Sequence, residues 1–129
     1  MSTRNTGLVK TFAAGATINP ARLVKFGTDD HTVLQGAAGT DLIFGVSDSP
    51  PLPAVATGER VDVVFTGIQP VTYGGTVTRG EKLMSDSSGR AITATAANGA
   101  NVNTAGIAMV SGVVGDIGSI FLSPGSFQG

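Results

Sequence analysis

Short apolar runs separated by turn residues set the rhythm of this chain. Arg60-Val61-Asp62-Val63-Val64-Phe65 opens in strict alternation, the pattern of a strand with one buried face. Leu42-Ile43-Phe44-Gly45-Val46 is a continuous apolar run of buried-strand length. Residues 21–26, 31–35, 68–73, 82–84, 90–95, 105–110 and 119–122 complete the predicted strands. Gly27-Thr28-Asp29-Asp30, Gly36-Ala37-Ala38-Gly39 and Ser85-Asp86-Ser87-Ser88-Gly89 are turn clusters between them. Pro50, Pro51 and Pro53 keep residues 47–53 out of any sheet interior, so this stretch reads as a surface loop. A helix over 91–108 competes because alanine is abundant there, but Gly99, Gly106 and the β-branched and Asn residues oppose it.

Residues 1–20 have a different texture. Small and polar residues dominate, and Leu8, Val9 and Phe12 are the only large apolar side chains between Met1 and Ile18. The segment suits an extended N-terminal arm or an edge strand. The division expected is an arm over 1–20 and a single β domain over 21–129.

The two halves of that domain, about 21–73 and 80–125, echo each other at an offset of about 60 residues. Leu23-Val24 before Thr28-Asp29-Asp30 parallels Leu83-Met84 before Ser85-Asp86-Ser87. Thr32-Val33-Leu34 parallels Ala91-Ile92-Thr93, and Phe44-Gly45-Val46-Ser47 parallels Ala105-Gly106-Ile107-Ala108. Gly58-Glu59 leading into Val63-Val64-Phe65 parallels Gly115-Asp116 leading into Ile120-Phe121-Leu122. Either the unit is duplicated, or these are the echoes that any short-stranded β protein gives. The fold class expected is all-β: a small β-barrel or β-sandwich, from two pseudo-repeated halves, with the extended N-terminal arm.

Composition sharpens this picture mainly by exclusion. The chain has 129 residues, enough for one domain with a core of its own. Its 19 Gly and 6 Pro suit many tight turns, with neither a collagen triplet period nor the apolar poverty of a disordered chain. There is no cysteine, which removes disulfides, thiolate metal sites and a cysteine nucleophile. A net charge of −1 offers no basic field for nucleic acid. No run approaches the roughly 18–20 apolar residues of a membrane helix, and the N-terminal stretch holds no signal-peptide core.

Candidate chemistry is sparse. His31 is the only histidine, and its cluster, Asp29-Asp30-His31, is the one group resembling a metal or proton-transfer site. Neighbouring strand residues point to opposite faces, so a polar hairpin turn is the simpler reading. Glu59, Asp62 and Asp116 lie near turns without the facing arrangement a glycosidase pair needs. Gly112-Val113-Val114-Gly115-Asp116-Ile117-Gly118 lacks both the spacing of a phosphate-binding loop and a Gly-Lys-Ser/Thr step. The phenylalanines sit on apolar strands and read as core. The expectation is a non-enzymatic protein without catalytic residues, metal or cofactor.

Three stretches carry a family likeness: Arg22-Leu23-Val24-Lys25-Phe26-Gly27, Phe44-Gly45-Val46-Ser47-Asp48, and Gly58-Glu59-Arg60-Val61-Asp62-Val63-Val64. Tyr73-Gly74-Gly75-Thr76-Val77-Thr78-Arg79-Gly80, Gly106-Ile107-Ala108, Gly115-Asp116-Ile117-Gly118-Ser119-Ile120 and Ser123-Pro124-Gly125 extend it. In order and spacing these resemble the capsid cement, or head decoration, proteins of tailed phages over roughly residues 20–129. The resemblance implies a structural virion protein, made in the host cytoplasm and seated on the outer surface of the mature head. It implies the major capsid protein as partner, self-association as a homotrimer, and contact with neither nucleic acid nor membrane. The capsid contacts expected lie in the arm, at Arg4, Leu8, Val9, Lys10 and Phe12. The competing reading is a carbohydrate- or host-surface-binding β module of a fibre or adhesin. The scarcity of sugar-stacking side chains, with one Tyr and no Trp, weighs against it.

Overall fold

The computed structural model describes residues 5–6, 8–48, 53–96 and 98–128, and strands and turns make up all of its regular structure. The strands are β1 (Asn5–Thr6), β2 (Val9–Ala14), β3 (Leu23–Phe26), β4 (Thr32–Gln35), β5 (Ile43–Ser47), β6 (Arg60–Val64), β7 (Gly67–Thr72), β8 (Lys82–Ser85), β9 (Ala91–Thr93), β10 (Asn101–Ala108) and β11 (Ile117–Gln128). The fold is all-β, as the alternating pattern predicts. Of the predicted proline-rich loop, residues 49–52 lie outside the described residues.

Strands β2-β4-β3-β5-β6 close into a small barrel, and β1-β7-β11-β10-β8-β9 form a second sheet. The second sheet repeats the barrel. The pairs Val24↔Gly45 and Leu23↔Val46 in the barrel have the counterparts Leu83↔Gly106 and Lys82↔Ile107. Val46↔Val64 and Ser47↔Val63 become Ile107↔Phe121 and Ala108↔Ile120. The parallel pairing of β2 with β4 that closes the barrel is reduced in the second unit to one parallel bridge, Tyr73↔Ala91. The turn before the last strand is also repeated. Glu59 Oε1 accepts the Ala56 amide at 2.8 Å, Asp116 Oδ2 accepts the Val113 amide at 3.0 Å, and Gly58 and Gly115 hold φ of 87° and 88°. A residue with a Cβ adopts that φ only at a cost.

Residues 9–14, expected to belong to an extended arm over 1–20, instead form β2, because the alternate residues Phe12 and Ala14 are buried in the barrel. This strand pairs with β6 along 9–13 and with β4 at 13–14. It occupies in the first unit the place that β7 occupies in the second.

The two interiors are filled differently. Phe12, Ala14, Ile18, Val24, Val33, Val61 and Val63 fill the barrel. Val71, Tyr73, Val77, Leu83, Ala91 and Ile120 occupy the equivalent positions of the second unit, but they share their cluster with Leu23, Ile43, Val46 and Val64 from the outer wall of the barrel. The barrel wall is thus the plug of the second sheet. Polar contacts fix the angle between them: Arg22 Nη1 and Gln35 Nε2 both donate to the Ser88 carbonyl, at 2.8 and 2.7 Å.

β10 and β11 run further than the apolar pattern predicts, pairing from Asn101↔Gln128 to Ala108↔Ile120. In β11 residues 123–126 are exposed on both faces, so they carry no buried-face signal. Pro124 is tolerated because one extra residue of β11 bulges there: Ser123 and Pro124 face Ala105 between the pairs Thr104↔Gly125 and Gly106↔Leu122.

Candidate binding surface at the open end of the barrel

The inward positions of the barrel end, at one side, in aromatic rings. Phe12 follows Lys10 at period two on β2, Phe26 follows Val24 on β3, and Phe65 follows Val61 and Val63 beyond β6. With Phe44 of β5 and Asp30 of the β3–β4 turn, these residues line a cavity of about 420 Å³. Phe26 and Phe44 stack at 4.1 Å between ring centroids, while Phe12 meets Phe44 edge-on at 5.6 Å and Phe26 at 6.0 Å. Lys10 Nζ lies 5.1 Å from the Phe12 ring centroid, within cation–π range.

Burial grades across this mouth. Phe12 is 6% exposed and belongs to the core, Phe44 and Phe65 are half-buried, and Phe26 is 52% exposed. Leu8 (62% exposed) and Val9 (44%) flank it on the N-terminal side. The Leu8 carbonyl accepts the Phe65 amide at 3.0 Å, which ties the start of β2 to the mouth.

Of the five arm residues singled out from the sequence, Arg4 lies outside the described residues. Lys10 and Phe12 line the mouth, Leu8 and Val9 stand exposed beside it, and Phe12 is also a core side chain. Sequence reasoning passed over Phe26, Phe44 and Phe65 as a binding surface, and singled out Asp30 only within the Asp29-Asp30-His31 cluster. A signal for these three lay in the repeat. The second unit carries Ser85, Ala105 and Leu122 where the first carries Phe26, Phe44 and Phe65.

The remaining candidate chemistry resolves into turns. Asp29 Oδ1 accepts the His31 amide at 2.9 Å; that bond, and next the Thr32 hydroxyl, holds its carboxyl below the usual range. Glu59 and Asp116 cap turn amides as described above, and Asp62 accepts the Thr11 hydroxyl. Among the described residues, no three His, Cys, Asp or Glu side chains gather in a way that would hold a metal ion.

A second apolar row with an exposed ring lies on the second sheet. Ile68, Phe121 and Ile107 stand in one cross-strand row on β7, β11 and β10, and Phe121 is 45% exposed. In the barrel, the equivalent row is Val9, Val64 and Val46, of which Val46 and Val64 are buried against the second unit.

Of three comparisons with known proteins, two give a match. Residues 1–115 match the family described as phage cement protein. No curated protein matches. Among solved structures, the chain is similar to the head fibre gp8.5 N base of bacteriophage phi29, with 18% identity and a TM-score of 0.68 over 90% of this chain and 93% of that one. At that identity the likeness is one of fold.

Proposed function

The chain belongs to the phage cement protein family and is a structural component of the virion; from that premise we propose that it is a capsid decoration protein. It binds the outer surface of the mature head and braces the shell against the outward pressure of the packaged genome. It does so without catalysis, as a homotrimer that touches several major capsid protein subunits. Later contacts of such a trimer are intramolecular, so weak single contacts add into firm attachment. A protein that binds the mature lattice preferentially stabilises that lattice by mass action.

The observation that carries this reading is the family match over residues 1–115. A structural neighbour named as the base of a head fibre supports a place on the head. The exposed surface supports it too, because exposed apolar patches of this kind mark interaction sites. Arg4, Leu8, Val9, Lys10 and Phe12 are the capsid-facing side, with Phe12 acting from the core through the strand it anchors. The row Ile68, Phe121 and Ile107 is the self-association face, because its counterpart in the barrel already packs against a sheet of this same chain.

Co-sedimentation tests the proposal. Purified protein is mixed with heads of its own phage, before and after shell expansion, in the absence of other decoration proteins. Saturable binding to expanded heads is expected. Binding to neither form, or binding to host glycans in its place, would overturn the reading.

A further inference from the structure

The mouth of the barrel has a chemistry of its own beyond that of an exposed apolar strand. It is a concave site of about 420 Å³, within the size range of small binding pockets. Its walls are the rings of Phe12, Phe26, Phe44 and Phe65, and its polar groups are Lys10 and Asp30. The Lys10 ammonium is held near the Phe12 ring. Among the described residues it forms no ion pair, with Asp30 or with any other carboxylate. An aromatic cup with a free cation on one side and a carboxylate on the other defines what it accepts. An apolar side chain fits between the rings, a carboxylate beside that side chain pairs with Lys10, and Asp30 repels a second acidic neighbour.

The molecule itself shows how an equivalent mouth is covered. In the second unit the positions of Phe26, Phe44 and Phe65 are Ser85, Ala105 and Leu122, and the segment 36–43 lies against them. Gly36 abuts Ser85, and the Gly39 carbonyl accepts the Asn103 amide at 2.8 Å. Ile43, at the end of that segment, is buried in one cluster with Ala105 and Leu122. A turn segment, held by Asp41 on the Ala37 and Ala38 amides and delivering the aliphatic side chain of Ile43, therefore covers the second mouth. The first mouth keeps its large rings and has no such cover among the described residues.

Resting on the cement reading, we infer that the barrel mouth is the seat for a segment of the capsid protein. That segment presents one large apolar side chain with an acidic residue next to it. Phe26 is the decisive contact, since it offers the most exposed ring, and Lys10 selects the charge.

The test uses the full chain with purified mature heads of its phage that lack it. Phe26→Ser and Lys10→Glu are each expected to weaken binding about ten-fold or more, the behaviour of interface hot spots. Their melting temperatures should stay close to that of the parent, because both side chains are exposed. Replacement of Phe26 by the photo-crosslinking residue p-benzoylphenylalanine should give an adduct with the capsid protein on irradiation. If the unmodified chain fails to bind heads, the cement reading falls, and this inference with it. If the unmodified chain binds and both variants bind equally well, the mouth assignment alone is overturned. An adduct only with another copy of this chain would also overturn it, and would make the mouth a self-association site. Should Phe26→Ser fail to fold, Lys10→Glu and the crosslink decide the matter.

Discussion

The barrel and the second sheet are one design used twice, with opposite outcomes at the interior. Both pair their strands in the same order and register, and both bend at a glycine, Gly45 or Gly106, where a neighbouring strand comes very close. The barrel fills itself: Phe12, Val24, Val33, Val61 and Val63 leave no room for a visitor, and its open end is rimmed with aromatic rings. The second unit has smaller residues at the equivalent rim, closes on a single bridge, and takes Leu23, Ile43, Val46 and Val64 of the barrel wall as part of its core. The difference teaches that a repeated β unit need not make two equivalent sites. One copy spends its concavity on binding its sibling, and the other is left with a rim that faces outward.

The comparison breaks most severely at its shared glycine. A Cβ at Gly106 would overlap the Phe121 backbone carbonyl, whereas one at Gly45 would lie 2.7 Å from the Val64 oxygen. Gly106→Ala is therefore expected to cost about 4 kcal/mol or more and to leave little folded protein, with Gly45→Ala less damaging; thermal melts rank the two. Next come the rings of the mouth. Phe12→Ala removes a core ring and should cost about 3 kcal/mol, while Phe26→Ala, at a half-exposed ring, should cost about 1 kcal/mol or less in denaturant titrations. Similar losses for both would show that the mouth is core and not surface.

Gln69 sharpens the contrast from the other side. It occupies the position of Lys10, yet it is fully buried, and among the described residues neither of its amide atoms has a hydrogen-bond partner. Gln69→Met keeps its volume and should raise stability by about 1–2 kcal/mol, read as a higher melting temperature. No gain would mean that the amide is satisfied in solution.

Tyr73, where the barrel has Ala14, donates its hydroxyl to the Val110 carbonyl at 2.6 Å and packs against Gly118. Tyr73→Phe should cost about 1 kcal/mol. Burial raises the Tyr73 phenol above its ordinary value, so the folded chain holds that proton longer than the unfolded chain does. The corresponding stability is fully present below about pH 10 and is lost as pH rises through the folded value. Tyr73→Phe should flatten that decline.

The smallest effect belongs to the latch on the 36–43 segment. Asp41 Oδ2 accepts the Ala37 and Ala38 amides at 2.8 and 3.0 Å and pairs with Lys25 Nζ at 3.1 Å. Burial pushes its carboxyl up, but those amides and Lys25 outweigh it and hold the value below the usual range. This contribution is present above about pH 4 and fades as the carboxyl protonates on acidification. Because the pair is partly solvated, Asp41→Asn should cost no more than about 0.5 kcal/mol near neutral pH and should weaken the acid dependence.

Much of this was legible in the residues, and the exceptions have identifiable causes. The matches of Phe44-Gly45-Val46-Ser47 with Ala105-Gly106-Ile107-Ala108, and of Val63-Val64-Phe65 with Ile120-Phe121-Leu122, agree with the pairing register of the structure. The matches of Leu23 with Leu83 and of Val33 with Ile92 are one residue out: register places Val24 with Leu83 and Val33 with Ala91. One residue is a change of face in a strand, so similar side chains misled where facing did not match. The same blindness hid the mouth. Four phenylalanines on apolar strands read as core, and only Phe12 is buried.

The sequence by itself determined the all-β class and most of the strands and turns, because alternation, glycine and proline act locally on the backbone. It also carried the family likeness, which rests on turn and strand residues in order. Only the tertiary structure decided which of the two units would be filled by the other, which rings would reach solvent, and that residues 9–14 would close a barrel. Those outcomes depend on which faces meet across long stretches of chain, and a one-dimensional pattern of apolar residues does not record what lies opposite a face.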